Sequence, residues 1–147
     1  MNTAKNTGND SILSEILVPI APGELYDKIS ILEIKSERIA DAEKLKNVRL
    51  ELELLAQKRD EIIPASSELS GLYAKLKAIN EALWEIEDDI RDCERAQDFG
   101  ETFIRLARAV YVTNDKRAAV KKDINKLLGS RIVEEKSYAD YGPGLDV

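Results

Sequence analysis

Histidine is absent from this chain of 147 residues. That absence removes histidine general bases, Ser-His and Cys-His nucleophile pairs, and every histidine metal site. A single cysteine, Cys93, rules out an internal disulfide and a thiolate zinc cluster and fits a reducing cytoplasm. No apolar run approaches the ~20 residues that a membrane span needs. The opening MNTAKNTGND has no signal-peptide pattern, so a cytoplasmic protein is expected. Basic charge is in deficit, with 22 Lys and Arg against 28 Asp and Glu and a net charge of −6. Nonspecific binding to nucleic acid or to an anionic membrane needs a basic surface, and neither is an expected partner. Aromatic residues make up 5% and glycines number only seven, a profile that leans towards helices.

What is present is apolar periodicity at helical spacing. An extended run, Glu15 to Ile20, contains Pro19 and precedes a helix expected at about 22–39, with Pro22 in its first turn. Asp41 can cap a second helix at about 41–61, carrying Leu45, Val48, Leu52 and Leu55. Pro64 breaks the chain before the longest helix, about 66–97. There Leu69, Leu72, Leu76, Ile79, Leu83, Ile86, Ile90 and Cys93 form a coiled-coil-like seam, with Cys93 as a small core residue. A fourth helix is expected at 101–112 and a fifth at 115–128, with Thr113 or Asn114 as the cap between them and Gly129 as the stop. The expected fold class is all-α, a helical bundle built on a long antiparallel hairpin of the second and third helices. It leaves room for one very small two-stranded β element from Glu15–Ile20 and Arg131–Glu135. Residues 1–12 are expected to be disordered, 13–141 to form a single helical domain and 142–147 a flexible tail.

Two blocks break the usual separation of charged and apolar helix faces. In Pro22 to Ile39, Leu25, Ile29, Leu32 and Ile39 share one face, and Ile31 and Ile34 lie nearly opposite. Glu24, Lys28 and Lys35 run between these strips, and a second mixed line holds Asp27 and Arg38. A helix apolar on two sides is sandwiched between layers or between subunits, and charges trapped there must be paired or meet a ligand. The plain alternative is a solvated Glu24–Lys28 pair.

In Tyr111 to Tyr138, Val120, Ile124, Leu127 and Leu128 make an apolar stripe, and Arg117 falls at its centre. Asn114, Lys121 and Asn125 run along its edge. With Arg117 they form a line of donors that begins at the expected N-terminus of the fifth helix, where free N–H groups favour an anion. Arginine and lysine add charge-assisted bonds to phosphate or carboxylate. The alternative is a structural pair between Arg117 and Glu134 or Glu135. Further on, Lys136 and Ser137 add hydrogen-bonding groups, and Tyr138 offers a stacking surface for a flat ring or an ordinary anchor.

GELYDKISILEIKSERI, then NDKRAAVKKDIN and EEKSY, together resemble an uncharacterised family of small bacterial and phage proteins, a domain of unknown function. The resemblance spans about residues 15–141 and implies a bacterial or phage origin. It implies no activity, so no catalytic residue, metal or cofactor is carried over.

The sequence therefore supports a non-enzymatic binder of a small anionic, nucleotide-like molecule, formed as a homo-oligomer. By analogy with other small phage oligomers, it would sequester a host immune nucleotide signal. The expected ligand residues are Lys28, Lys35, Asn114, Arg117, Lys121, Asn125, Lys136, Ser137 and Tyr138. A metal-dependent nucleotide pyrophosphohydrolase is the enzymatic alternative, resting on Glu81, Glu85, Asp88 and Asp89 with their one-turn spacing. A protein–protein interaction module is the third reading.

Overall fold

A computed structural model describes residues 13–142. The expected disordered segment 1–12 and residues 143–147 of the expected tail lie outside the described residues. Four helices follow one another: α1 (Pro22–Arg38), α2 (Ala42–Ile62), α3 (Ser67–Ala96) and α4 (Glu101–Leu127). The chain is all-helical among the described residues, and neither Glu15–Ile20 nor Arg131–Glu135 forms a strand.

Local chemistry explains the helix ends. Pro22 opens α1, where its missing N–H costs nothing because first-turn N–H groups lack helical partners. The Asp41 carboxylate caps α2 by accepting from the N–H groups of Glu43 and Lys44. Ser66 caps α3 through the Leu69 N–H. Gln97, in the left-handed region at φ 57°, turns the chain out of α3.

Two sequence expectations are corrected here. The fourth and fifth helices are one, because nothing interrupts the chain between Val112 and Arg117 and Asn114 does not cap. Its side chain instead accepts from Arg117 one turn ahead. The hairpin also joins different partners. α3 pairs with α4, whereas α2 touches only α1. Leu69 and Leu76, early in α3, cluster with Val120 and Ile124, late in α4, so α3 and α4 run antiparallel. The third helix spends its seam on the fourth, and the apolar side of α2, with Val48 buried, turns to α1.

α1 is the centre of the molecule. It packs on α2, on α3 and on α4, and it buries Leu25, Tyr26, Ile29, Leu32 and Ile34. Its two apolar sides are both covered within the one chain, which removes the need for a second subunit against it. Cys93 is a buried free thiol on α3.

Candidate functional site

Of the charges that α1 carries among its apolar residues, Asp27 is buried and paired, and Glu24 is half-buried and paired. Asp27 is 1% exposed, and both of its carboxylate oxygens are bound by Arg117 of α4. Arg117 Nε donates to Oδ1 at 2.9 Å and Nη2 to Oδ2 at 2.5 Å, the two-pronged geometry that arginine forms with carboxylates. Asn80 of α3 donates through Nδ2 to Asp27 Oδ1 at 2.9 Å and to Ser30 Oγ at 2.8 Å. Ser30 in turn donates to the backbone carbonyl of Asp27. Burial pushes the Asp27 carboxyl up, but the hydrogen bonds from Arg117 and Asn80 outweigh it and hold the group below the usual carboxylate range. The bond to Asp27 raises the Arg117 guanidinium against the opposing effect of burial. Three helices are thus pinned at one polar knot inside an apolar core.

Two further contacts fix the register of α1 against α4. Lys121 Nζ donates to Glu24 Oε1 at 2.7 Å, and the Gly23 N–H donates to Asn125 Oδ1 at 2.6 Å. Going up α1 from Gly23 to Glu24 to Asp27, the partners descend α4 from Asn125 to Lys121 to Arg117, so these helices are antiparallel. Gly23 makes this close approach possible. A Cβ there would lie 2.5 Å from the Lys121 carbonyl oxygen and 2.9 Å from Asn125 Oδ1. The Glu24–Lys28 pair also forms, at 3.7 Å, secondary to the Lys121 bond.

Outside this knot lies a cleft of about 580 Å³ between one face of α4, from Val110 to Asn125, and Glu134, Glu135, Lys136 and Tyr138 of the segment that follows Gly129. Lys136 ties the segment down through Asp115 at 2.7 Å, Lys121 reaches Glu134 at 3.7 Å, and Tyr141 packs on Tyr111 at 5.4 Å between ring centroids. The bond from Lys136, supported by Tyr141, holds the Asp115 carboxyl below the usual range.

Of the expected ligand residues, Asn114, Arg117, Lys121, Asn125, Lys136 and Tyr138 come together along this cleft. Lys28, Lys35 and Ser137 do not line it. Lys28 faces a separate apolar groove, Lys35 lies further along α1 and Ser137 is exposed beside the cleft. The argument from a helix N-terminus fails, because Asn114 is mid-helix and the nearby N–H groups belong to the helical ladder. Arg117 has a structural partner, as the alternative reading required, but that partner is Asp27 rather than Glu134 or Glu135.

Asp27, Ser30 and Asn80 were missed as site residues. Asn80 carried a readable signal, being a polar residue set between Leu76 and Leu83 on the apolar seam of α3. For the enzymatic alternative, Glu85 pairs with Arg38, and among the described residues no group of three or more carboxylate or cysteine side chains is arranged to hold a metal ion.

The chain belongs to a family of unknown function, DUF6165, whose match covers residues 16–142. No curated protein and no solved structure is significantly similar to it.

Proposed function

We propose that this protein binds a small anionic, nucleotide-like molecule in the cleft between α4 and residues 134–138 and holds it without chemical change, which amounts to sequestration. The observation that carries this reading is the way Arg117 is mounted. Its Nε–Nη2 edge is fixed on buried Asp27 and its Nη1 on Asn114, while the side chain stays 30% exposed at the cleft wall. A guanidinium has five N–H donors, and these contacts occupy three of them. The two N–H groups left over, one on Nη1 and one on Nη2, suit a phosphate or carboxylate oxygen and are held in place before the ligand arrives.

Lys121 sits one turn along. Its contact with Glu134 is loose at 3.7 Å, so an anion can take the place of that carboxylate. Exposed Lys122 adds charge, and Tyr138, 86% exposed, offers a free ring face for a base. All of these groups come from one chain, so binding in this cleft requires no second copy.

The test is a thermal-shift and calorimetric screen of nucleoside mono-, di- and triphosphates with and without magnesium. A ligand of the native state at 100 times its Kd adds about 2.7 kcal/mol of stability. The expected result is a raised melting temperature for at least one nucleotide. Tyr138→Ala or Lys122→Ala should abolish that rise while leaving the melting temperature of the ligand-free protein unchanged. No rise with any nucleotide, or one indifferent to both substitutions, overturns the reading. Magnesium-dependent release of pyrophosphate would instead favour the enzyme.

A further inference from the structure

The segment that walls the ligand cleft is held by charge and not by burial. α4 ends at Leu127, and Gly129, in the left-handed region at φ 67°, turns the chain back along the helix. From there the segment runs antiparallel to α4. The Ser130 N–H donates to the Asn125 carbonyl at 2.9 Å, Glu134 meets Lys121 at 3.7 Å, Lys136 meets Asp115 at 2.7 Å and Tyr141 packs on Tyr111. The segment forms neither helix nor strand, and residues 133–141 are all exposed. With so little buried apolar area, it opens at far smaller cost than the helices unfold.

The Glu134 carboxylate occupies the place of an anion in the cleft. Lys121 touches it, and its charge also reaches Arg117, whose guanidinium is raised first by the bond to Asp27 and further by the charges of Glu24 and Glu134. The next residue, Glu135, also lines the cleft, but makes no ion pair among the described residues. Asp115 anchors the segment. It holds Lys136, and the Tyr141 hydroxyl acts on the same carboxylate. This anchor lies two residues from Glu134, so the carboxylate stays close to Lys121 even when their contact is open, at the high local concentration that a short tether gives.

We infer that residues 130–141 are a built-in competitor of the cleft, a strap latched at Asp115 that keeps the Glu134 carboxylate on Lys121 until an incoming phosphate displaces it. The inference rests on the anion binding proposed above and adds its regulation. The Glu134–Lys121 pair is long, and Glu134 is 40% exposed, so the closed and open forms lie within about twofold of each other. Apparent affinity scales with the open fraction, so removing the competing charge tightens binding about two- to threefold.

The experiment is calorimetric titration of the full chain with inorganic pyrophosphate and with the four ribonucleoside diphosphates. It compares wild type with Glu134→Gln, Glu135→Gln, Tyr141→Ala and the Glu134→Gln/Tyr141→Ala double variant. Glu134→Gln should bind about two- to threefold tighter than wild type. Glu135→Gln removes the same charge one residue on, and in 0.15 M salt it should change the Kd by less than about 1.5-fold. Tyr141→Ala loosens the latch without altering the charge of the cleft. It should tighten binding of pyrophosphate, which needs no stacking ring, and add nothing to Glu134→Gln. In the ligand-free protein it should also speed tryptic cleavage after Lys136 by roughly threefold or more. Binding that Glu134→Gln leaves unchanged, an equal gain from Glu135→Gln, a Tyr141→Ala gain that persists in the double variant, or an unchanged cleavage rate overturns this inference alone. No heat from any of these ligands with any variant overturns the cleft reading and this inference with it.

Discussion

Removing the Arg117 guanidinium should unfold this protein more readily than its place in a surface cleft suggests. Arg117→Ala leaves the Asp27 carboxylate, 1% exposed, with only the Asn80 amide as a side-chain donor. Breaking a buried pair by deleting one partner costs about 3–5 kcal/mol, because the remaining charge is neither hydrated nor compensated. For a chain of 147 residues, 1 kcal/mol corresponds to about 3–5 °C of melting temperature, so a fall of about 10–20 °C is expected. The pH dependence carries the diagnosis. In the wild type the Asp27 carboxyl is held below its ordinary value, so its stabilisation is fully present above about pH 4 and is lost as pH falls through the depressed folded value. In Arg117→Ala burial acts almost alone and raises the folded value above the unfolded one. The sign reverses, so the mutant is relatively more stable at low pH and its deficit grows as pH rises. Urea denaturation of both proteins between pH 3.5 and 7.5, followed by circular dichroism, measures this directly. A deficit below 1 kcal/mol at pH 7, or one that does not shrink on acidification, would refute the buried-knot argument. Glu134→Ala is the control. Its pair with Lys121 is 3.7 Å long and Glu134 is 40% exposed, so its loss should stay within about 0.5 kcal/mol.

Gly23→Ala should cost about 1–3 kcal/mol of stability in the same urea assay, because the new methyl group meets the Lys121 backbone carbonyl at 2.5 Å and α1 must move away from α4. Loss of less than 0.5 kcal/mol would mean that the helices have room to part. At alkaline pH, burial and the bond that Tyr73 donates to Glu33 raise the Tyr73 phenol far above its ordinary value, and burial raises the neighbouring Tyr26. For these groups stability is fully present below about pH 10 and is lost as pH rises further. Tyr73→Phe should therefore flatten the stability curve between pH 9.5 and 11.5, and an unchanged alkaline limb would count against the buried phenol.

The helices were legible because their apolar spacing and caps are local signals. Asp41 and Pro22 act where the sequence placed them, and the α3 seam buries Leu69 and Leu76 as its period required. Which helix packs on which was not legible. The apolar stripes of α2 and α3 are chemically alike, and periodicity does not say that one turns to α1 and the other to α4. Asn114 misled for a different reason. Asparagine is a strong cap in isolation, yet here its carbonyl oxygen is taken by Arg117, whose orientation is set by Asp27, 90 residues earlier in the chain. A tertiary contact thus decided a local feature.

The same contact changes what the two charged blocks mean. Read separately, each looks like half of a binding site, because each has charge where a helix should be apolar. Read together they complement each other, Gly23 with Asn125, Glu24 with Lys121 and Asp27 with Arg117. The rule that trapped charges must be paired or meet a ligand is met first by pairing. What pairing leaves over is small and specific: two N–H groups of Arg117, the 3.7 Å contact of Lys121 with Glu134 and an exposed tyrosine across the cleft. A site of this kind is built on rigid supports, since Arg117 cannot swing away without baring Asp27 to the core. Substitutions at Asp27 or Asn80 should consequently weaken ligand binding and stability together, whereas those at Tyr138 or Lys122 should affect binding alone. Finding the two groups indistinguishable in a paired stability and affinity measurement would mean that the cleft has no function separate from the fold.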